Sequence, residues 1–376
     1  MLNLERTRER FPILKSKIHL ANCSQGAIAQ EVIEAIDEYK DTLVSSGMDW
    51  ERWMEEVHLA KEEFAVLIGA SSDEVAIFSC VSDAVSAVAS CLPIYGRKQI
   101  VTTPNEFPTV GQIWLASANR GRAEVEFVES PNGLYTPDVV EPYLGLDTAI
   151  LSVHQVSYYN ATLQDVRSLA DLAHEHRALI LVDAYQGLGT VPLDVKESDL
   201  DFVVSGNLKY LLGIPGIAFM YVRPGLSDDL QPGITGWFGR VNPFDFDATR
   251  LDFAPGAGRF DMGTPPIAAA YAARAGMRLV RGVSVTEIQR HVQEISRHVI
   301  EGARDRGLEV TGPQEVTAKG ASTAIRVGDR SAEIEKEMFE RGIIVSARAD
   351  VVRFAPHFFT THEDIETALD VLYEVL

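Results

Sequence analysis

Two short apolar runs, Ala178–Val182 and Phe202–Val204, each break off into polar residues. The first stops at Asp183 and Gln186, the second at Ser205, Gly206, Asn207 and Lys209. A continuous apolar run bounded by turn-forming residues predicts a strand buried on both faces of a parallel sheet. Further strands are predicted at Val75–Phe78, Gln99–Thr103, Ala149–Val153 and Ile217–Val222. Elsewhere apolar positions fall at helical spacing: Val32, Ile33, Ile36 and Tyr39, then Trp53, Val57, Ala60, Phe64 and Leu67. The helix Leu163–His174 returns the chain to Ala178 and completes a βαβ unit. The alternation predicts an α/β fold with a mostly parallel sheet between helices. Ligands of open α/β sheets sit beyond the carboxyl ends of the strands, so Asp183 and Lys209 are predicted to face one crevice.

After residue 266 the pattern shortens. Two helical stretches, the second Val285–Arg304, lead to strands at Glu309–Thr311, Ser322–Val327, Ile343–Ser346 and Val351–Phe354. Helices are predicted at Ala332–Arg341 and Glu363–Leu376. The division expected is an N-terminal segment, 1–30, opening with a polar helix; a large domain, 31–265; and a bridging helix with a small α/β domain, 266–376.

The 376 residues suffice for two domains and a large core. A net charge of −20 argues against nucleic acid or an anionic membrane as partner, since both need a basic footprint. Three irregularly spaced cysteines, Cys23, Cys80 and Cys91, argue against a disulfide scaffold or a zinc site. No run reaches the roughly 18 apolar residues of a membrane span. A cytoplasmic protein acting on a small molecule is expected.

A carboxylate and an amine in one crevice suit pyridoxal phosphate (PLP): the amine forms a Schiff base with the aldehyde, and the carboxylate keeps the pyridine nitrogen protonated. Val182-Asp183-Ala184-Tyr185-Gln186, followed by Ser205-Gly206-Asn207-Leu208-Lys209-Tyr210-Leu211, resembles the class V aminotransferases of PLP fold type I. That family also includes cysteine desulfurases and kynureninases. The resemblance implies a seven-stranded sheet, catalysis by Lys209 and Asp183, and contacts to the cofactor from Gln186 and Ser205.

The other roles follow from the same likeness. The helix starting near Ser82 offers free N–H groups to a phosphate, and the family places its PLP phosphate at this turn, here Val81 and Ser82. Glu106-Phe107-Pro108-Thr109 resembles the kynureninase Phe-Pro-Ser, which makes Phe107 the ring stacked on the cofactor. Ser157 is implied as a cofactor contact, and Tyr158 as a substrate contact. Gly236-Trp237-Phe238-Gly239 is similar to the kynureninase Gly-Trp-x-Gly, with Trp237 near the phosphate, but Arg240 stands where kynureninases have His. Gly263-Thr264-Pro265 is similar to the segment that reaches the neighbouring subunit's phosphate, so Thr264 implies a homodimer with shared active sites. Ser24 and Gln25 would lie at the mouth. Arg353, flanked by Val352 and Phe354, would bind the substrate α-carboxylate through its paired donors.

The implied reaction runs through an external aldimine and a quinonoid on an α-amino acid. Neighbouring charges are expected to lower the Lys209 pKa. Leu208 replaces a residue that often touches phosphate or ring in relatives, which predicts weaker PLP retention or a compensating contact. No Cys follows Cys91, and Val345-Ser346-Ala347-Arg348-Ala349-Asp350 occupies the region of the desulfurase nucleophile. Persulfide-forming desulfuration is therefore disfavoured. A C–S or kynureninase-like lyase is the leading expectation, with an aminotransferase or an amino-acid epimerase as alternatives. A non-catalytic PLP-fold binding protein is a remote one.

Overall fold

The computed structural model describes residues 4–376, so the first three positions of the N-terminal segment lie outside the described residues. The strands of the first two hundred or so residues are β1 Ile18–His19, β2 Val75–Phe78, β3 Gln99–Thr102, β4 Glu124–Phe127, β5 Thr148–His154, β6 Leu179–Asp183, β7 Phe202–Gly206 and β8 Ala218–Val222. Seven of them form one sheet in the order β2-β8-β7-β6-β5-β3-β4. Only β8 runs against its neighbours; the pairs from β7 to β4 are parallel.

Strand alternation divides the apolar residues between two cores. Phe202 and Val204 join the helices Val81–Ser90 and Pro108–Asn119 on one face. Val203 joins Trp50–Leu67, Val166–Glu175 and Ile267–Val283 on the other. There Phe64 stacks on Phe219 with ring centroids 4.7 Å apart. Each such fully buried side chain contributes roughly 1.5–3 kcal/mol against exposure, which explains why these runs are continuous rather than alternating. Edge strand β4 reads Glu-Val-Glu-Phe and is only half-buried. That weak pattern is why it was not among the predicted strands.

The remaining strands are β9 Val310–Thr311, β10 Thr323–Arg326, β11 Ile343–Ile344, β12 Ser346–Arg348 and β13 Val351–Phe354. Four of them make an antiparallel sheet, β12-β13-β10-β9. The single strand expected at Ile343–Ser346 is thus two. β11 leaves the small sheet to pair in parallel with β1, while Ser346 pairs with Arg353 on β13. The N-terminal segment is fastened here at two further points: Ala21 bridges Ala355, and Arg8 pairs with Asp364 at 2.5 Å. Helices Ser331–Glu340 and His362–Val375 cover this unit, the latter opened by a Thr361–Asp364 capping box. No described helix is long and apolar enough to cross a membrane.

Candidate active site

Asp183 is the last residue of β6, and its Oδ1 accepts the Tyr185 N–H at 2.9 Å. This side-chain turn ends the strand and directs the carboxylate past the sheet. Beyond β7, Asn207 to Gly213 loop back, closed by Gly213 N–H to Asn207 O at 2.9 Å and Leu212 N–H to Lys209 O at 3.1 Å. Gly26 packs against this loop so closely that a Cβ there would strike the Lys209 carbonyl. The lysine is therefore held by backbone on two sides.

A cavity of about 450 Å³ opens at these strand ends. Its walls include Ser24, Val81, Ser82, Phe107, Tyr158, Asp183, Gln186, Lys209 and Arg353, nine of the residues singled out from the sequence. The Lys209 Nζ lies 4.0 Å from the Tyr185 ring centroid and 5.4 Å from that of Phe107. Phe107 meets Tyr158 edge-on at 5.3 Å. Gln186 Nε2 donates to the Cys23 carbonyl at 3.0 Å. Ser82 Oγ and Thr109 Oγ1 are 2.6 Å apart, so the N-termini of helices Val81–Ser90 and Pro108–Asn119 meet at one wall.

Burial pushes the Asp183 carboxyl up to about 6, helped by the nearby Glu106 and opposed by the Tyr185 amide and Lys209. Burial likewise pulls the Lys209 amine down to about 8. The guanidiniums of Arg353 and Arg348 add to that fall, and Asp183 resists it. Desolvation, rather than the neighbouring charges expected from the sequence, is the main cause.

Arg353 is buried. Its Nη1 donates to Tyr158 O at 2.5 Å, and its Nη2 to Ser24 Oγ at 3.1 Å and Ser346 Oγ at 2.7 Å. All these acceptors are neutral, so its charge remains uncompensated.

The structure puts five other residues elsewhere. Gln25 donates to the carbonyls of Gly26, Leu208 and Gly213 and braces the lysine loop from outside. Ser157 is buried, and its Oγ accepts the Tyr159 N–H at 3.3 Å. Ser205 is buried and donates to Gly206 O at 2.8 Å. Trp237 belongs to an aromatic group with Trp50, Phe238, Phe244 and Phe246. Thr264 lines a separate cavity of about 200 Å³ with Lys61 and Asp261. Arg240 pairs with Asp252 at 2.8 Å.

Several wall residues had no role in the sequence reading: Cys23, Cys80, Asn105, Thr109, His154, Tyr185 and Arg348 line the same cavity, as does Leu208. Tyr185 lay inside the quoted motif, and Thr109 follows Pro108 at a helix start, the one available signal for it. His154 is buried yet lines the cavity, its Nδ1 3.8 Å from Glu106. No cluster able to hold a metal ion occurs among the described residues.

The donor set fits PLP. Two helix N-termini offer N–H groups for a phosphate, a buried carboxylate lies at the cavity floor, and an amine near neutrality stands between two rings. Sheet and site together define a protein of PLP fold type I. The chain matches the Aminotransferase class-V family model over residues 18–366 and belongs to that family. It is 38% identical to an uncharacterized aminotransferase, YcbU, of Bacillus subtilis over 97% of this chain and 96% of that one. It is 27% identical to a kynureninase of Pseudomonas fluorescens over 98% and 91%. The apo cysteine desulfurase of Thermococcus onnurineus superposes with a TM-score of 0.90 at 23% identity, covering 100% and 98%. The cystine C–S lyase C-DES in complex with cysteine persulfide superposes at 0.88 and 18% identity, covering 97% and 99%.

Proposed function

We propose that this protein is a PLP-dependent lyase acting on a small α-amino acid. The observation that carries the reading is the Lys209 amine between Tyr185 and Phe107, sharing one cavity with Asp183 and Arg353. PLP, when bound, supplies an aldehyde for the lysine and a ring that accepts electrons from the substrate Cα.

The chain does the rest. Asp183, ionised above about pH 6, holds a proton on the ring nitrogen. Val81, Ser82 and Thr109 hold the phosphate at the two helix N-termini. Arg353 fixes the α-carboxylate, which points Cα at Lys209. Lys209, with its amine near 8, takes up and returns the Cα proton. Tyr185 and Phe107 wall the amine from water. A lyase needs only these groups, because the departing β-substituent requires no second amino acceptor. The Phe107-Pro108-Thr109 and Gly236-Trp237-Phe238-Gly239 likenesses favour this branch over transamination.

The enzyme is a homodimer of the cytoplasm in this reading. Phe246 is 76% and Phe244 48% exposed beside Trp237, an apolar face that a second copy would cover. Trp237 and Thr264 would then serve the partner's cavity, which accounts for their distance from their own. All three cysteines are free, as suits a reducing compartment.

Incubation of the PLP-loaded enzyme with single amino acids tests the reaction. Pyruvate or alanine formed without an added keto acid is the expected result. Product that depends on a keto acid makes the enzyme a transaminase. Stereoinversion alone makes it an epimerase. A protein that stays colourless in excess PLP overturns the whole assignment.

A further inference from the structure

Most arginines in this acidic chain pair with a carboxylate, from Arg8–Asp364 to Arg341–Glu374. The cavity is different. Among the described residues, Lys209, Arg348 and Arg353 all line it, and none has a carboxylate within 4.0 Å. Arg353 answers to the α-carboxylate, but Arg348 has no task in the scheme above.

Its placement is set by the small sheet. Ser346 and Arg348 stand two apart on β12, so their side chains leave the same face of the strand. The Ser346 hydroxyl points toward two cavity residues, receiving Arg353 Nη2 and lying 2.7 Å from Ser24 Oγ. Arg348 therefore extends the Arg353 wall, with its backbone roughly 7 Å further along the strand. The acids nearest in sequence are engaged elsewhere. Asp350 accepts Tyr159 Oη at 2.5 Å and pairs with Arg326; Glu335 accepts the Ala347 N–H at 2.9 Å. Arg348 is exposed, so its side chain can swing toward a ligand. The phosphate-type donors, Val81, Ser82 and Thr109, belong to helices of the large domain and not to this strand.

We infer that Arg348 selects substrates with a second anionic group on the side chain, held by its guanidinium while Arg353 holds the α-carboxylate. The substrate class is an acidic amino acid, or one whose β-substituent is an anion such as a sulfinate or carboxylate. This deepens the proposed function and rests on PLP and an amino acid sharing this cavity. A charge-assisted, bidentate contact of this kind contributes tenfold or more to affinity, about 1.4 kcal/mol for each factor of ten.

The test is a spectral titration of the PLP-loaded enzyme with L-aspartate, L-asparagine, L-glutamate, L-glutamine and L-alanine, following the cofactor's visible band. The expected result is that one acidic amino acid binds at least tenfold tighter than its amide. Arg348→Gln abolishes that preference and leaves L-alanine within about twofold of wild type, and Arg348→Lys restores part of it. Equal affinity for acid and amide in the wild type overturns the inference. So does an Arg348→Gln variant that weakens alanine and the acids alike, since that reports general attraction and not selection. If no band forms with PLP, or no amino acid perturbs it, the underlying functional reading fails and takes this inference with it. Circular dichroism of the exposed-site variants confirms that the fold is intact.

Discussion

The reactive amine owes its tuning to where it sits. An ordinary lysine is cationic at neutral pH, but burial leaves Lys209 half neutral near pH 8. Only the neutral amine attacks an aldehyde. Capture of added PLP by the apo protein is therefore expected to quicken about tenfold per pH unit below 8 and to level off above it. Stopped-flow absorbance over pH 6–9 measures this, and a flat profile contradicts the burial of the amine. Lys209→Arg keeps the charge and captures nothing. The pairing of Lys209 with Asp183 was legible from sequence because both end continuous apolar runs, which hydrophobicity marks strongly. Ser157 and Ser205 were not separable from true wall residues. A serine's small hydroxyl turns toward cavity or backbone according to neighbours that no linear pattern reveals.

Between elements, spacing is controlled by glycine. The Cβ of an alanine at Gly206, the last residue of β7, would run into the Tyr185 ring. That ring is one of the two flanking the lysine amine. Gly206→Ala is expected to cost about 1–3 kcal/mol in urea denaturation by overpacking, and to weaken PLP retention because the ring is displaced toward the cofactor's place. Wild-type behaviour in both measurements would show that Tyr185 moves freely and does not shape the cavity. The main strands and long helices could be read from the chain because each has many residues voting for one period. β4 could not. Its four residues alternate charged and apolar side chains that are at most half-buried, and its existence depends on pairing with β3. The splitting of residues 343–346 into β11 and β12 has the same cause, a tertiary pairing with β1.

At the scale of the molecule, the buried amine of Lys319 lies outside the catalytic scheme. Lys319 is buried, bonded to Thr323 Oγ1, Ser296 Oγ and the Gly320 carbonyl, and burial alone lowers its amine to about 7. Between its folded value and its unfolded value of 10.5, the unfolded chain holds the proton and the folded chain does not. Stability conferred at this position therefore rises with pH across that window. Relative to Lys319→Met, the wild type is expected to gain on the order of 2 kcal/mol between pH 7 and 9 in urea melts. A difference that stays constant with pH would mean the amine is not titrating there. The proposed dimer is tested at the exposed aromatic face: Phe246→Glu should give a monomer by light scattering and reduce activity, because Trp237 and Thr264 no longer reach a partner. An unchanged dimer with full activity would move the interface elsewhere.

The parallel pairing of Ile18 with Ile343 joins residues more than three hundred positions apart. During synthesis the first strand emerges from the ribosome long before its partner exists. Cys23 and Gly26, which follow it, can meet Gln186 and Leu208 early, but Ile18 and Ala21 lack their strand partners until Ile343 and Ala355 are made. A nascent chain can assemble the large sheet early, but its vitamin-binding chamber lacks one wall until Arg348 and Arg353 have been made. Premature termination should thus yield a folded yet inactive fragment.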